Sequence, residues 1–168
     1  GLEEGGTLSE ELYRQIETEI LNKRARERSV DLLKASDKSE GQIRKRLEED
    51  GFPKPVVDRT IALLKKYRYV DDEAFALHYV ENGGARKSRR QLAYELRQKG
   101  VDGELVDAAL REAAPSDEEN IRRLVQKKVG NPEGLSREEL HKLYAFLGRK
   151  GYSYEAIRRV LGEIGMED

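Results

Sequence analysis

The chain has 168 residues, a net charge of −1, 39% charged and 37% hydrophobic residues, and a mean hydropathy of −0.82. With three Phe, no Trp and no Cys, a thick aromatic core, disulfides and thiolate metal sites are excluded, while the apolar share exceeds that of a disordered chain. High Glu, Lys, Arg and Leu with few aromatics predicts slender helices with solvated outer faces, the absence of Cys fits a cytoplasmic location, and no apolar run approaches the roughly 20 residues needed to span a bilayer.

The first 22 residues set Arg14 against Glu3, Glu4, Glu10, Glu11, Glu17 and Glu19, a net −5, which leaves the remainder at +4. Leu12, Ile16 and Ile20 recur at helical spacing within Leu8 to Leu21, and Ala25, Val30 and Leu33 do so within Lys23 to Ala35. Both segments predict helices, placed ahead of a periodic region.

That region is organised around three glycines. Gly51, Gly100 and Gly151 are spaced by 49 and 51 residues. Each has apolar residues eight and four positions before it: Ile43 and Leu47, Leu92 and Leu96, Leu143 and Leu147. Each has more at one, six and ten positions after it: Phe52, Val57 and Ile61; Val101, Val106 and Leu110; Tyr152, Ile157 and Leu161. The leading pair lies on one helical face and the glycine supplies a left-handed stop. The next residue folds back on that face, and the last pair opens a second helix. Ser39 with Gln42, Ser88 with Gln91, and Ser136 with Glu139 read as capping boxes. The third box sits three residues further from its glycine and predicts a longer helix. Asp102 and Ser153 suit second-helix N-caps, and Pro55 suits a first turn. A further helix is expected at about Asp71 to Glu81 and at about Asp117 to Val129, with breaks at residues 82–84, 114–116 and 130–134.

Catalytic machinery is not recognisable. Asp71 and Asp72 lack a third ligand at metal spacing and read as an N-cap and first turn. His78 and His141 are 63 residues apart and read as ordinary helix-surface or packing residues. The Gly83-Gly84 and Gly130 to Gly134 segments lack the phosphate-loop order. No enzyme activity, metal or cofactor is expected. The tyrosines at 67, 69, 79, 94, 144, 152 and 154 read mainly as packing residues, with base stacking among interleaved cations as the alternative.

The strongest charge excess lies in Gly84 to Val101, where Arg86, Lys87, Arg89, Arg90, Arg97 and Lys99 face only Glu95, a net +5. Cations at a helix start are opposed by its dipole, which makes this cluster a candidate for meeting an acidic partner. Arg122, Arg123, Lys127 and Lys128 occupy non-apolar positions of a later helix; a solvated face and a continuation of the binding stripe are both open readings.

The segment Tyr69-Val70-Asp71-Asp72-Glu73-Ala74-Phe75-Ala76, followed by Ser88-Arg89-Arg90-Gln91-Leu92, Leu96, Lys99-Gly100-Val101 and Val106, resembles the RecX family, and the likeness runs from Lys23 to Gly165. Lys38 stands where relatives often carry Arg, keeping the charge and losing the bidentate fork. The resemblance implies an all-α chain of tandem three-helix repeats stacked into an elongated, curved array, with an N-terminal helix before the first unit. It also implies a regulator that binds RecA protein filaments along their groove and damps recombinase, ATPase and coprotease activity. The expected organisation is an acidic N-terminal helical segment (1–22) and repeats at 23–82, 83–130 and 131–168, in a monomer with no membrane partner. The alternative function is direct binding of single- or double-stranded DNA through the basic segment, and the ten basic residues named above are the candidate contacts with either the RecA filament or DNA.

Overall fold

The computed structural model describes the backbone of residues 2–165 and the side chains of residues 9–162. The side chains of Glu3 and Glu4, counted in the acidic segment, and the end of the 131–168 repeat lie outside the described residues. Among the described residues nine helices succeed one another: α1 (Leu2–Ala35), α2 (Glu40–Glu49), α3 (Lys54–Lys66), α4 (Asp72–Gly83), α5 (Arg89–Gln98), α6 (Gly103–Ala113), α7 (Asp117–Val129), α8 (Arg137–Arg149) and α9 (Tyr154–Gly165), with no strand. The expected all-helical class holds.

Where two N-terminal helices were expected there is one, α1 of 34 residues. Residues 21–23 hold neither Gly nor Pro, so nothing stops the helix between the two apolar stripes. The buried face of its second half is Asn22, Ala25 and Ser29 rather than one that includes Val30, which is 37% exposed. Ser29 is accommodated because its Oγ donates to the Ala25 carbonyl of the preceding turn at 2.8 Å.

The repeat glycines terminate α2, α5 and α8 as the spacing predicts. Gly51, Gly100 and Gly151 have φ of 89°, 83° and 99°. Each donates its N–H three residues back, to Glu48, Arg97 and Gly148, while Phe52, Val101 and Tyr152 donate to Leu47, Leu96 and Leu147 at 3.1–3.2 Å. This paired 5→2 and 6→1 bonding satisfies the last carbonyls and folds the post-glycine residue onto the helix it leaves. Of the fifteen repeat positions, all but half-buried Phe52 are buried. The same two bonds end α3 at Arg68, a non-glycine residue at φ 57°, where Arg68 and Tyr69 donate to Lys65 and Leu64.

The helix starts need one correction. Ser39 and Gln42 form both halves of a box, whereas at Ser88 and Ser136 the first half alone forms, the hydroxyl accepting from the third helical N–H at 3.0 and 3.1 Å. Gln91 is turned instead toward Glu95, at 3.3 Å. Ser153 accepts from the Ala156 N–H at 3.1 Å, while Asp102 occupies its N-cap without a side-chain bond. Pro55 lies in the first turn of α3 and α8 is longer than α2 and α5, both as expected.

The chain divides into two compact units, Gly1–Phe75 and Ala76–Asp168. The first is built on Ala25, Ile43, Leu47, Val57, Ile61 and Leu64. In the second, α7, α8 and α9 enclose Ile121, Val125, Leu143, Leu147, Ile157 and Leu161, and α5 and α6 bury Leu92, Leu96, Val106 and Leu110. Its α4–α5 loop is pinned by the buried Asn120, whose Nδ2 donates to the carbonyls of Gly84 at 2.8 Å and Lys87 at 3.1 Å. Gly84 is required there, because a Cβ would come within 2.7 Å of the Val80 oxygen and 2.9 Å of Pro115 Cδ.

Candidate functional site

The basic segment is organised by α5. Its Leu92 and Leu96 point into the core, so the positions at 90, 94 and 97, one helical face apart from them, turn outward. Arg90 and Arg97 are exposed and Tyr94 is 61% exposed between them.

Other cations of the segment are engaged inside the fold. Lys87 Nζ lies 2.8 Å from Glu95 Oε2 and 3.3 Å from Tyr79 Oη, and Tyr79 Oη donates to the same carboxylate at 2.7 Å. Lys99 lies 5.5 Å from the Tyr79 ring centroid. Burial alone would raise the Glu95 carboxyl, but the bonds from Lys87, Tyr79 and Gln91 outweigh it and hold the group below its ordinary value. The bond to Glu95 raises Lys87, and burial, followed by the bond to Glu95, raises Tyr79.

Arg89 resolves the dipole misfit of a cation at a helix start. Its Nη1 donates to the carbonyls of Leu110 at 3.1 Å and Ala114 at 3.3 Å, so the charge serves the C-terminal end of α6. Its backbone N–H is capped by Asp117 Oδ1 at 3.0 Å. The first unit repeats that device: Asp72 Oδ1 accepts from the Glu40 N–H at 2.8 Å, and burial raises the Asp72 carboxyl despite that bond. Asp71 caps the Ala74 N–H at 3.1 Å, as expected.

The α7 cations diverge. Arg123 reaches the Ala85 carbonyl at 3.3 Å, beside exposed Arg86. Lys128 stacks 3.8 Å from the Phe146 ring centroid, and Arg122 lines a 290 Å³ cleft with Val125, Gly130, Pro132 and Val160. Lys127 is exposed. The ten basic residues therefore divide into a group that holds the fold (Lys87, Arg89, Lys99, Arg123 and Lys128) and an outward group (Arg86, Arg90, Arg97, Arg122 and Lys127), of which Arg86 reaches back only to the Asn82 carbonyl four residues earlier, at 3.4 Å.

The expectation that tyrosines mainly pack is corrected. Tyr67, Tyr69, Tyr94 and Tyr154 are 60–67% exposed, and Tyr152 is buried. Each exposed ring sits at a helix end or on the helix face opposite the core, a distinction that residue type alone does not carry. His78 and His141 are both on the surface. Among the described residues no helix is long and apolar enough to cross a membrane.

Against known proteins, the chain matches the models of the first, second and third three-helix domains of RecX, at residues 25–64, 71–110 and 116–161. It is 31% identical to the regulatory protein RecX of Caldanaerobacter subterraneus subsp. tengcongensis, over 96% of this chain and 81% of that one. The chain belongs to the RecX family. RecX of Amycolatopsis mediterranei is 33% identical over 86% of this chain and 87% of its own length. The crystal structure of RecX from Lactobacillus salivarius superposes with a TM-score of 0.69 at 16% identity, covering 87% of this chain and 97% of that one. A second crystal structure, of a regulatory protein RecX, gives 0.73 at 25% identity, covering 90% and 76%. The RecX domain models run α1–α3, α4–α6 and α7–α9. Asp72 and Asp117 thus open the second and third RecX domains and cap the middle helix of the domain before.

Proposed function

We propose that this RecX-family chain is a non-enzymatic cytoplasmic regulator that binds RecA or RecA–DNA filaments and inhibits recombinase, ATPase and coprotease activity. The supporting observation is family membership across 96% of the chain, joined to an outward face of α5 whose arginines are not committed to the fold. Arg86, Arg90 and Arg97 steer association, with Arg122 and Lys127 as further contacts. Affinity comes from a larger matched surface around them. Lys87, Arg89, Lys99 and Arg123 act through the fold, by holding α5 and its loop in place, and Lys128 does so by stacking on Phe146 of α8.

The test is the triple substitution of Arg86, Arg90 and Arg97 by Ala. Exposed side chains of this kind alter stability by about 0.5 kcal/mol or less each, so the variant stays folded. It then inhibits the ATPase of RecA on single-stranded DNA less and associates more slowly. Parental inhibition by the folded variant at low and moderate salt overturns the assignment of this face.

Tyr94, exposed between Arg90 and Arg97, favours one second reading, direct binding of single-stranded nucleic acid by stacking and phosphate contact. That reading expects steep weakening with salt on naked DNA, and loss of DNA binding in Tyr94→Ala while RecA inhibition persists.

A further inference from the structure

Counted from the three repeat glycines, one face of the middle helix changes character along the chain. At positions eleven, seven and three before the glycine and three after it, the first repeat carries Glu40, Arg44, Glu48 and Lys54, and the second carries Arg89, Ala93, Arg97 and Gly103. The third carries Leu140, Tyr144, Gly148 and Tyr154. The first three of these positions recur every four residues and form one stripe along α8. The result is a 980 Å³ groove floored by Leu140, Tyr144, Ala145 and Gly148 and walled by Tyr154, whose ring lies 5.7 Å from that of Tyr144. Arg137 and Glu138 both stand in its lining, and the Arg158 charge acts on Tyr144.

The N-terminal half of α1 has the opposite problem. Leu12, Ile16 and Ile20, again four residues apart, are 57%, 48% and 46% exposed, and neighbouring Tyr13 is 69% exposed. Glu17 and Glu19 flank the stripe, in a segment of net charge −5. Two such arms pairing with each other would bring like charges together, which opposes association. An apolar stripe with acidic flanks instead matches an apolar groove where Arg137 and Arg158 outnumber the one acid of the lining, Glu138.

We infer that the α8–α9 groove of one copy receives the α1 arm of a second copy, with Leu12, Ile16 and Ile20 seated over Tyr144 and Gly148. Each copy carries one arm and one groove, so the contact is head-to-tail and leaves a free arm at one end and a free groove at the other. The monomer expected from sequence is then the low-concentration limit.

Sedimentation equilibrium on the full chain tests this with two variants chosen to leave the fold intact. Ile16→Gln alters an exposed arm position. Gly148→Gln fills the groove, and a Cβ at Gly148 meets nothing within 4 Å. The parent's average mass should rise with concentration. Each variant alone should associate about thirtyfold more weakly, the size of a hot-spot truncation. A mixture should recover a 1:1 dimer that grows no further, because the groove of the Ile16→Gln chain and the arm of the Gly148→Gln chain are both intact. A parent that stays monomeric at every concentration overturns the proposal. So does a Gly148→Gln chain that associates like the parent, which would mean pairing through the arms alone.

Discussion

Gly51 and Gly151 hold the same place in their repeats and nearly the same backbone, φ 89° and 99°, yet their surroundings differ. A Cβ at Gly51 meets nothing within 4 Å, whereas one at Gly151 lands 2.8 Å from Ser88 Oγ. Ser88 is fully buried and caps α5 through the Gln91 N–H, so it cannot swing away without releasing that bond. Gly51→Ala should therefore cost only the left-handed conformation, about 1 kcal/mol. Gly151→Ala adds a disturbed cap, about 1 kcal/mol, and local overpacking of at least about 1 kcal/mol, for about 3 kcal/mol together.

Native-state hydrogen exchange, which reads the two units separately, is the assay, with urea unfolding followed by circular dichroism as a second measure. The decisive arm is the double variant. Ser88→Gly removes the obstructing oxygen at a cost of only a few tenths of a kcal/mol, since Gly is itself a tolerated N-cap. In that background Gly151→Ala should fall back to about 1 kcal/mol. Equal costs for Gly51→Ala and Gly151→Ala would refute the reasoning, as would an excess at Gly151 that survives Ser88→Gly.

The polar contacts set two further outcomes. Asp117→Ala should destabilise the second unit by about 1–2 kcal/mol, because the Arg89 N–H loses its acceptor, whereas Ala at exposed Asp107 should change stability by about 0.5 kcal/mol or less; similar effects at both sites would remove the capping role. Because the Glu95 carboxyl titrates lower in the folded chain than its ordinary 4.5, its contribution is present above that value and is lost as pH falls through the folded one. The stability gap between the parent and Glu95→Gln should thus be open at neutral pH and close in acid, and a gap of constant size from neutral to acid would show that Glu95 does not hold Lys87 and Tyr79 as described.

How much of this molecule is legible in the sequence depends on how narrowly each feature is constrained. The glycine period is legible because a left-handed stop, two residues on the face before it and one folding back afterwards must occur at fixed offsets. Arg68 makes the same stop without the signal residue, held by the Tyr69 bond to Leu64. Ser29 escapes an apolar search because its hydroxyl is satisfied within its own helix. The basic segment is legible as a sum of charge but not as a set of partners. Lys87 looks like Arg90 in a charge count, and only folding brings Tyr79, eight residues earlier, and Glu95, eight later, to the same ammonium. The signal that could have separated Asp117 from other acids is its pairing with Asp72: both are the first residue of the helix that opens a RecX domain, and each caps the residue after a buried serine.

Repetition also explains where specialisation is found. Core positions of the three units are nearly interchangeable because each must refill the same space, and large-to-small changes there cost about 2–5 kcal/mol. The stripe of the middle helix defined by Glu40, Arg44 and Glu48 and their counterparts is half-buried at most positions, so residue types can vary there more widely than in the core. One stripe is accordingly mixed-charge at Glu40, Arg44 and Glu48, basic at Arg89 and Arg97, and apolar at Leu140, Tyr144 and Gly148. Arg89 marks the limit of that freedom. It belongs to the same stripe, yet its guanidinium closes the end of α6, so replacing it alters the fold and the surface together. Substitutions at Arg90 and Arg97 isolate the surface, and differences between them and Arg89→Ala measure how much of any binding defect is structural.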